Sequence, residues 1–298
     1  MNTDESKMEP KGQPMKFMPH LFTCWYLSRR LPSRRLLVSV VASLVLIINA
    51  QSTFAAIDKV TSSTPLSIKT PSRPMAESSL LDVGIPTLND GLSLTDEDDT
   101  VFPEVRFAEA IYFSNQLAKV MEKSGAWGAI RVTPNAQVIT DVYITGTIIQ
   151  SDGEALELDV EVKDTSGKKW FAKTYKKVVG KLAYDRRAKK NMGDPFQNVF
   201  IQIANDVLIY REKFSDKKAT ELRTISELRF AQLFSPEAFN EYITLGPNGI
   251  LEVQRLPAEN DSLLERVKKI RERDYLYIDT MQDYYDGFSQ QMHFAYQE

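Results

Sequence analysis

Four carboxylates crowd one short stretch: Glu154, Glu157, Asp159 and Glu161. Two carboxylates held about 5–9.5 Å apart can hydrolyse a glycosidic bond. Here, however, Leu156, Leu158, Val160 and Val162 alternate with Glu157, Asp159, Glu161 and Lys163. That pattern describes a strand with one face buried and the acids on the wet face. Nothing draws a pair into an enclosed pocket, where acidity shifts toward catalytic values. Other chemistries lack their residues. The two histidines are His20, far upstream, and His293, near the C-terminus. A Ser-His-Asp triad needs a buried, oriented imidazole, and a zinc hydrolase usually needs two or three. The single cysteine, Cys24, lies in the N-terminal leader, so its removal with that leader would exclude disulfides and thiolate chemistry. The expectation is no catalytic residue, no cofactor and no metal, with a hydrolase of envelope glycans as the alternative.

Binding is the remaining chemistry. Lys176, Lys177, Lys181, Arg186, Arg187, Lys189 and Lys190 form a basic stretch in an otherwise acidic chain. It can dock an anionic polymer or a partner's acidic face; the plainer reading is a solvated loop. Arg271-Glu272-Arg273-Asp274 interrupts an apolar helical rhythm. Arg271 and Arg273 can bridge to a partner or to the protein's own sheet through two-point carboxylate pairs, or the run is an exposed helical turn. Tyr275, Tyr277, Tyr284, Tyr285, Phe288, Phe294 and Tyr296 gather aromatics near the C-terminus. They suit a partner groove, but Tyr285 and Phe288 are expected to fold back over the protein's own core. Trp127, following a helix end, is expected to pack beneath that helix rather than to stack on a ligand.

The address comes from the front of the chain. Arg29, Arg30, Arg34 and Arg35 precede an uncharged apolar run, Leu36 to Ala50, and small or polar residues follow to Ala55. This is the three-part pattern of an export signal. The run is shorter than the roughly 20 residues of a spanning helix. Cleavage after Thr53-Phe54-Ala55 is therefore expected, with an uncleaved anchor over residues 36–57 as the alternative. Ser33-Arg34-Arg35-Leu36-Leu37 also has the form of a twin-arginine signal; an ordinary basic flank is the plainer reading. Met15 or Met18 can be the true start. The expected location is periplasmic or otherwise extracytoplasmic, with membrane contact only through an uncleaved leader.

Net charge is −3; the leader, residues 1–55, holds seven Lys/Arg against three Asp/Glu, which leaves −7 for the remaining 243 residues. An acidic exported protein is a poor partner for nucleic acid, whose affinity comes from phosphate neutralisation. Composition is 43% hydrophobic and 26% charged, ordinary for a globular chain of one large domain.

The elements follow from spacing. Residues 56–79, rich in Ser, Thr, Pro and Lys, read as a disordered linker. Leu81 to Pro86 is a short strand that Pro86 confines to an edge or an end. Pro103 and Glu104 open a helix to Lys123 with Phe107, Ile111, Leu117, Val120 and Met121 at helical spacing. Trp127 to Val132 is a second strand. Strands over 141–150, 156–162 and 170–179 form a meander joined at Ser151-Asp152-Gly153 and Asp164–Gly167. Gly146 invites a close neighbour. Asp194-Pro195 starts a helix whose stripe of Phe196, Val199, Phe200, Ile203, Val207 and Tyr210 can cover one sheet face. Helices are expected over 217–234 and 236–243, then a strand over 250–256 and a long helix from Asp261 to about Met292.

The sequence from Ala129-Ile130-Arg131-Val132 through Asp141–Ile148, Leu156–Val162, Asp164–Gly167 and the helix from Pro195 resembles bacterial envelope proteins. These are the curli secretion-channel protein (CsgG), the lipoprotein activators of peptidoglycan synthases (LpoB) and the N-terminal domain of TolB. The resemblance lies in element order over residues 81–214, about half of the exported part. It implies an accessory role in envelope assembly. The chain lacks a lipoprotein cysteine after its apolar run and an obvious pair of long channel-forming strands.

The expected architecture is α+β: an antiparallel-dominated sheet covered by two helices over 80–214, with a helical C-terminal extension over 215–298 packed on it. The expected function is a non-catalytic, exported accessory that binds an envelope protein partner. A purely structural membrane-anchored protein is a third reading.

Overall fold

A computed structural model describes residues 59–60, 66–94, 101–180 and 194–295. Its main sheet contains β1 (Lys59–Val60), β2 (Val83–Pro86), β3 (Ile130–Thr133), β4 (Val142–Ser151), β5 (Ala155–Asp164) and β6 (Lys169–Val178), in the order β1-β6-β5-β4-β2-β3. The α+β class holds, but the sheet is mixed rather than antiparallel-dominated. β4, β5 and β6 form the expected antiparallel meander. β2 runs parallel to both β3 and β4, and β1 runs parallel to β6. The cause is α1 (Pro103–Glu122), which carries the chain back between β2 and β3. A helical crossover of this kind makes the next strand parallel. β3 and β4 then share a direction, so residues 134–141 must return from the carboxyl end of β3 to the start of β4. That return loop builds one wall of the groove described below.

Period-two burial decides which sheet face is dry. Val142, Ile144, Ile148, Leu156, Leu158, Val160 and Val162 are buried, as is Tyr175 of β6. Helix α1 and helix α2 (Gln197–Arg211) contribute to the same core, and Phe113 meets Phe200 at 5.7 Å between ring centres. Each fully buried aliphatic side chain here stabilises the fold by about 1.5–3 kcal/mol. The buried face of α1 is Ala110, Phe113, Leu117, Val120 and Met121, whereas Phe107 is exposed. Asp206 of α2 accepts hydrogen bonds from Tyr175 and Lys173, tying the helix to the sheet. Gly146 admits its neighbours as expected. A Cβ there would stand 2.8 Å from the Leu88 side chain, and the Gly146 carbonyl accepts from the Asn89 amide.

The linker expectation fails over residues 66–79. Asn198 accepts from the Leu66 amide, Asn205 from the Lys69 amide and Glu212 from the Ser72 amide, while the buried Arg211 donates to the Ser79 carbonyl. Side chains of Leu66, Ile68 and Met75 pack on the core. Composition missed this order because the partners lie on a helix some 130 residues later.

The C-terminal third is also less separate than expected. Ser215 caps α3 (Asp216–Phe234) by accepting from the Lys218 amide. Ala219, Leu222 and Ile225 of α3 belong to the main core. α4 (Pro236–Phe239) is a single turn, and the expected helix to residue 243 gives way to a hairpin of β7 (Ile243–Leu245) and β8 (Leu251–Val253). A second apolar cluster joins Leu228, Ala231, Phe239 and Ile243 to Leu264 and Val267 of α5 (Ser262–Ala295). α5 then runs along β3, where Gln282 accepts from the Val132 amide at 3.1 Å. A side chain thereby satisfies a backbone donor that an uncovered edge strand would leave open.

Candidate functional site

The carboxyl ends of β2 and β3 open into a groove of about 840 Å³. Thr87 and Thr133 stand at those strand ends, the position where open sheets with parallel strands commonly take ligands. Helix α1 supplies Ile111 and Asn115. The return loop supplies Pro134, Asn135, Gln137, Val138 and Ile139. Phe230 and Leu233 come from α3, and Tyr275, Ile278, Met281 and Tyr285 from α5. Its walls are thus mostly aliphatic and aromatic, with carboxamides among them. That combination gives apolar contact area plus a few orienting hydrogen bonds.

A polar network fixes the walls. Arg131 of β3 donates to Asp279 of α5 through Nε at 2.7 Å and Nη2 at 3.1 Å, and its guanidinium lies 4.0 Å over the Tyr275 ring. The Tyr275 hydroxyl donates to the Ile139 carbonyl at 2.6 Å and accepts from Arg271 Nε at 2.8 Å. Arg271 Nη2 also donates to the Ile139 carbonyl and to Ser226 Oγ. The Ser226 hydroxyl in turn bonds Asp141, and the second oxygen of that carboxylate accepts from the Asp82 amide. Two side chains of α5 therefore grip one carbonyl of the return loop, and Ser226 of α3 braces one of them. Burial pushes the Tyr275 hydroxyl up to about 12. Burial also pushes the Asp141 carboxyl up, against the bonds from Ser226 and Asp82 and the Arg271 charge.

This network is built for holding. Ser226 lies on the buried side of α3 with its oxygen already shared among Asp141, Arg271 and the Arg223 carbonyl. A nucleophilic serine needs a base free to take its proton and a third group to orient that base. Among the described residues, no group of three His, Cys, Asp or Glu could hold a metal ion.

The residues singled out from the sequence fall in different places. Arg271 is buried and bonded within the chain, which corrects its assignment as a partner contact; Arg273 is exposed on α5. Lys176 lies in β6 and pairs with Glu157 at 2.6 Å, and Lys177 in the same strand is buried. Lys181, Arg186, Arg187, Lys189 and Lys190 lie outside the described residues. The four strand carboxylates diverge: Glu154 stands at the β4–β5 turn, Glu157 meets Lys176, Asp159 accepts from Thr174, and Glu161 pairs with Lys163 and Lys169. Burial opposes the shift, yet those two ammonium groups hold the Glu161 carboxyl below its ordinary range. Trp127 is buried in the core. Tyr285 lines the groove half-buried, but Phe288 is 61% exposed, correcting the expectation that it folds back.

Asp141, Ser226 and Arg131 escaped the sequence reading. One signal was present: Ser226 follows Ala219 and Leu222 at helical spacing, so a polar residue occupies a core position.

No family model matches the chain, and no curated protein matches it. Among solved structures it is similar to a dodecamer of a PelC point variant from Paraburkholderia phytofirmans. The identity is 13%, over 49% of this chain and 95% of that one, with a TM-score of 0.29. A likeness at that level defines neither fold nor function.

Proposed function

We propose that this chain is an exported, non-catalytic accessory protein of the cell envelope that holds an apolar segment of a protein partner in the groove between β3, α1, α3 and α5. The observation that carries this reading is the chemistry of the groove wall. Among the described residues, its ionisable groups are Asp274, Tyr275, Tyr277 and Tyr285, and Tyr275 and Tyr285 are both shifted upward, away from neutrality. Efficient proton transfer at neutral pH wants a group poised near 7. An apolar, open trough with carboxamides suits binding instead. The export signal at Arg29–Ala55 supports the location, and the strand and helix order over 81–214 supports a place beside the envelope proteins it resembles.

The experiment is site-specific photocrosslinking in cells. A crosslinking side chain at Val138 or Leu233, on the groove wall, should give a discrete adduct, and one at Thr147, on the open sheet face, should not. Equal adducts at all three positions, or none from the groove, would overturn the reading. Mass spectrometry of the mature N-terminus tests export separately; an intact leader on protein in the cell interior would remove the location.

The glycan-hydrolase alternative draws less support, because Glu157 and Glu161 are neutralised by lysines on the open sheet face. A free, enclosed carboxylate pair is what that chemistry requires.

A further inference from the structure

Helix α5 carries a second apolar surface that starts at the groove rim and runs outward from it. Tyr277, Met281, Tyr284 and Phe288 are 68%, 51%, 70% and 61% exposed. Their spacing of four, three and four residues places them within about 60° of arc on an α-helix. The stripe points outward because the inner face is pinned at two places: Asp279 to Arg131, and Asp286 to Lys119 at 2.8 Å. It is therefore presented in a fixed orientation, which lowers the ordering cost of association.

We infer that this stripe is the seam of a twofold dimer, in which the α5 helices of two copies pack antiparallel. Three observations favour a second copy as the occupant. The 4-3-4 spacing reads the same in both directions. A twofold axis midway between Met281 and Tyr284 thus sets Met281 against the partner copy's Tyr284, and Tyr277 against its Phe288. The first pairing is a sulfur–aromatic contact and the second joins two rings. The flanking residues Thr280, Gly287 and Gln291 are uncharged, and Asp274, at the stripe's N-terminal end beside Arg273, falls opposite Gln291 of the second copy, so self-pairing sets no like charges together. The area also fits. Three rings of roughly 200 Å² each at these exposures, with Met281, amount to about 450 Å² per copy. Two copies would bury roughly 900 Å², close to the roughly 1,000 Å² at which specific interfaces begin. A dissociation constant on the order of micromolar is expected.

This inference goes beyond the groove reading and can fail separately from it. Tyr277 and Met281 stand on the groove rim, so a paired helix would extend that wall while leaving Val138 on the far side. The full chain, purified as the cell makes it, should have dimer mass by light scattering at tens of micromolar. The double substitution Tyr284→Glu and Phe288→Glu, at two stripe residues that do not line the groove, should weaken association at least tenfold while the circular dichroism spectrum is unchanged. The groove adduct at Val138 should persist in that variant. In a Cys24→Ser background, Met281→Cys and Tyr284→Cys proteins should form a disulfide-linked pair when mixed. Neither should link efficiently to itself, and this result reads the seam without the glutamates. A monomer at 100 μM, a dimer that survives the glutamates, or self-linking of Met281→Cys alone would overturn the antiparallel seam.

Discussion

Arg131 and Asp279, 148 residues apart in the chain, form a two-point ion pair that clamps α5 against β3. The guanidinium is buried beside Asp82 and Tyr275, whereas the carboxylate is 44% exposed. The two partners should therefore not be equivalent. Arg131→Ala is expected to cost about 2–3 kcal/mol, since it removes a buried side chain together with its packing on Tyr275 and its two bonds to Asp279. Asp279→Ala should cost about 1 kcal/mol, as for a partly exposed pair. Denaturant unfolding checks the energies. In either variant, hydrogen exchange should quicken along α5 from Tyr275 onward; unchanged exchange would contradict the fastening role.

Asp141 predicts a pH dependence. Burial raises its pKa above the ordinary 3.8 in the folded protein. A raised carboxyl contributes stability that is complete below the unfolded value and is lost as pH rises through the folded value. Asp141→Asn removes that loss and keeps one acceptor. The melting temperature of the variant relative to the natural protein should therefore rise as pH increases from about 4 toward neutrality. A difference that is flat across that range, or falls, would argue that Asp141 titrates normally.

Asn205 holds the strap of residues 66–79 by accepting from the Lys69 amide at 2.8 Å and donating to the Ser67 carbonyl at 3.0 Å. Asn205→Ala leaves both backbone groups without these partners and should cost about 1–2 kcal/mol. Limited trypsin digestion should then cut after Lys69 well before the rest of the chain. Equal resistance of the two proteins would mean that the strap is held elsewhere.

Gly91 and Gly249 share a φ of +71°, but not their surroundings. A Cβ at Gly91 would lie 1.8 Å from the Ile148 carbonyl oxygen, while one at Gly249 would meet nothing within 4 Å. Gly249→Ala should cost about 1 kcal/mol, the conformational penalty alone. Gly91→Ala should cost about 2–4 kcal/mol, because backbone must move as well. Thermal unfolding of the two variants, side by side, separates conformation from contact.

Local chemistry made much of the fold legible. Pro103 and Glu104 mark the start of α1, alternation marks β5, and Asp261 stands one residue before α5. The candidate site was far less so. Arg271 was visible as a break in an apolar rhythm, yet its direction was not, because a helix face is chosen by what packs beside it. Phe288 misled for the same reason. Arg131 gave no signal, since one arginine in an apolar strand reads the same whether or not an aspartate waits on a distant helix.

The sequence by itself determined the period of the central strands β4 to β6 and of the long helices, where α1 and α5 begin, and the scarcity of imidazole and thiol. Those properties rest on neighbours within a few residues. Only the tertiary structure decided that β2 runs parallel between β3 and β4, that residues 66–79 are held along α2, and that Tyr275 and Arg271 grip the Ile139 carbonyl to shape a groove. Each of these joins groups dozens to more than a hundred residues apart, and the free energy of such a contact depends on burial and geometry that no local window contains.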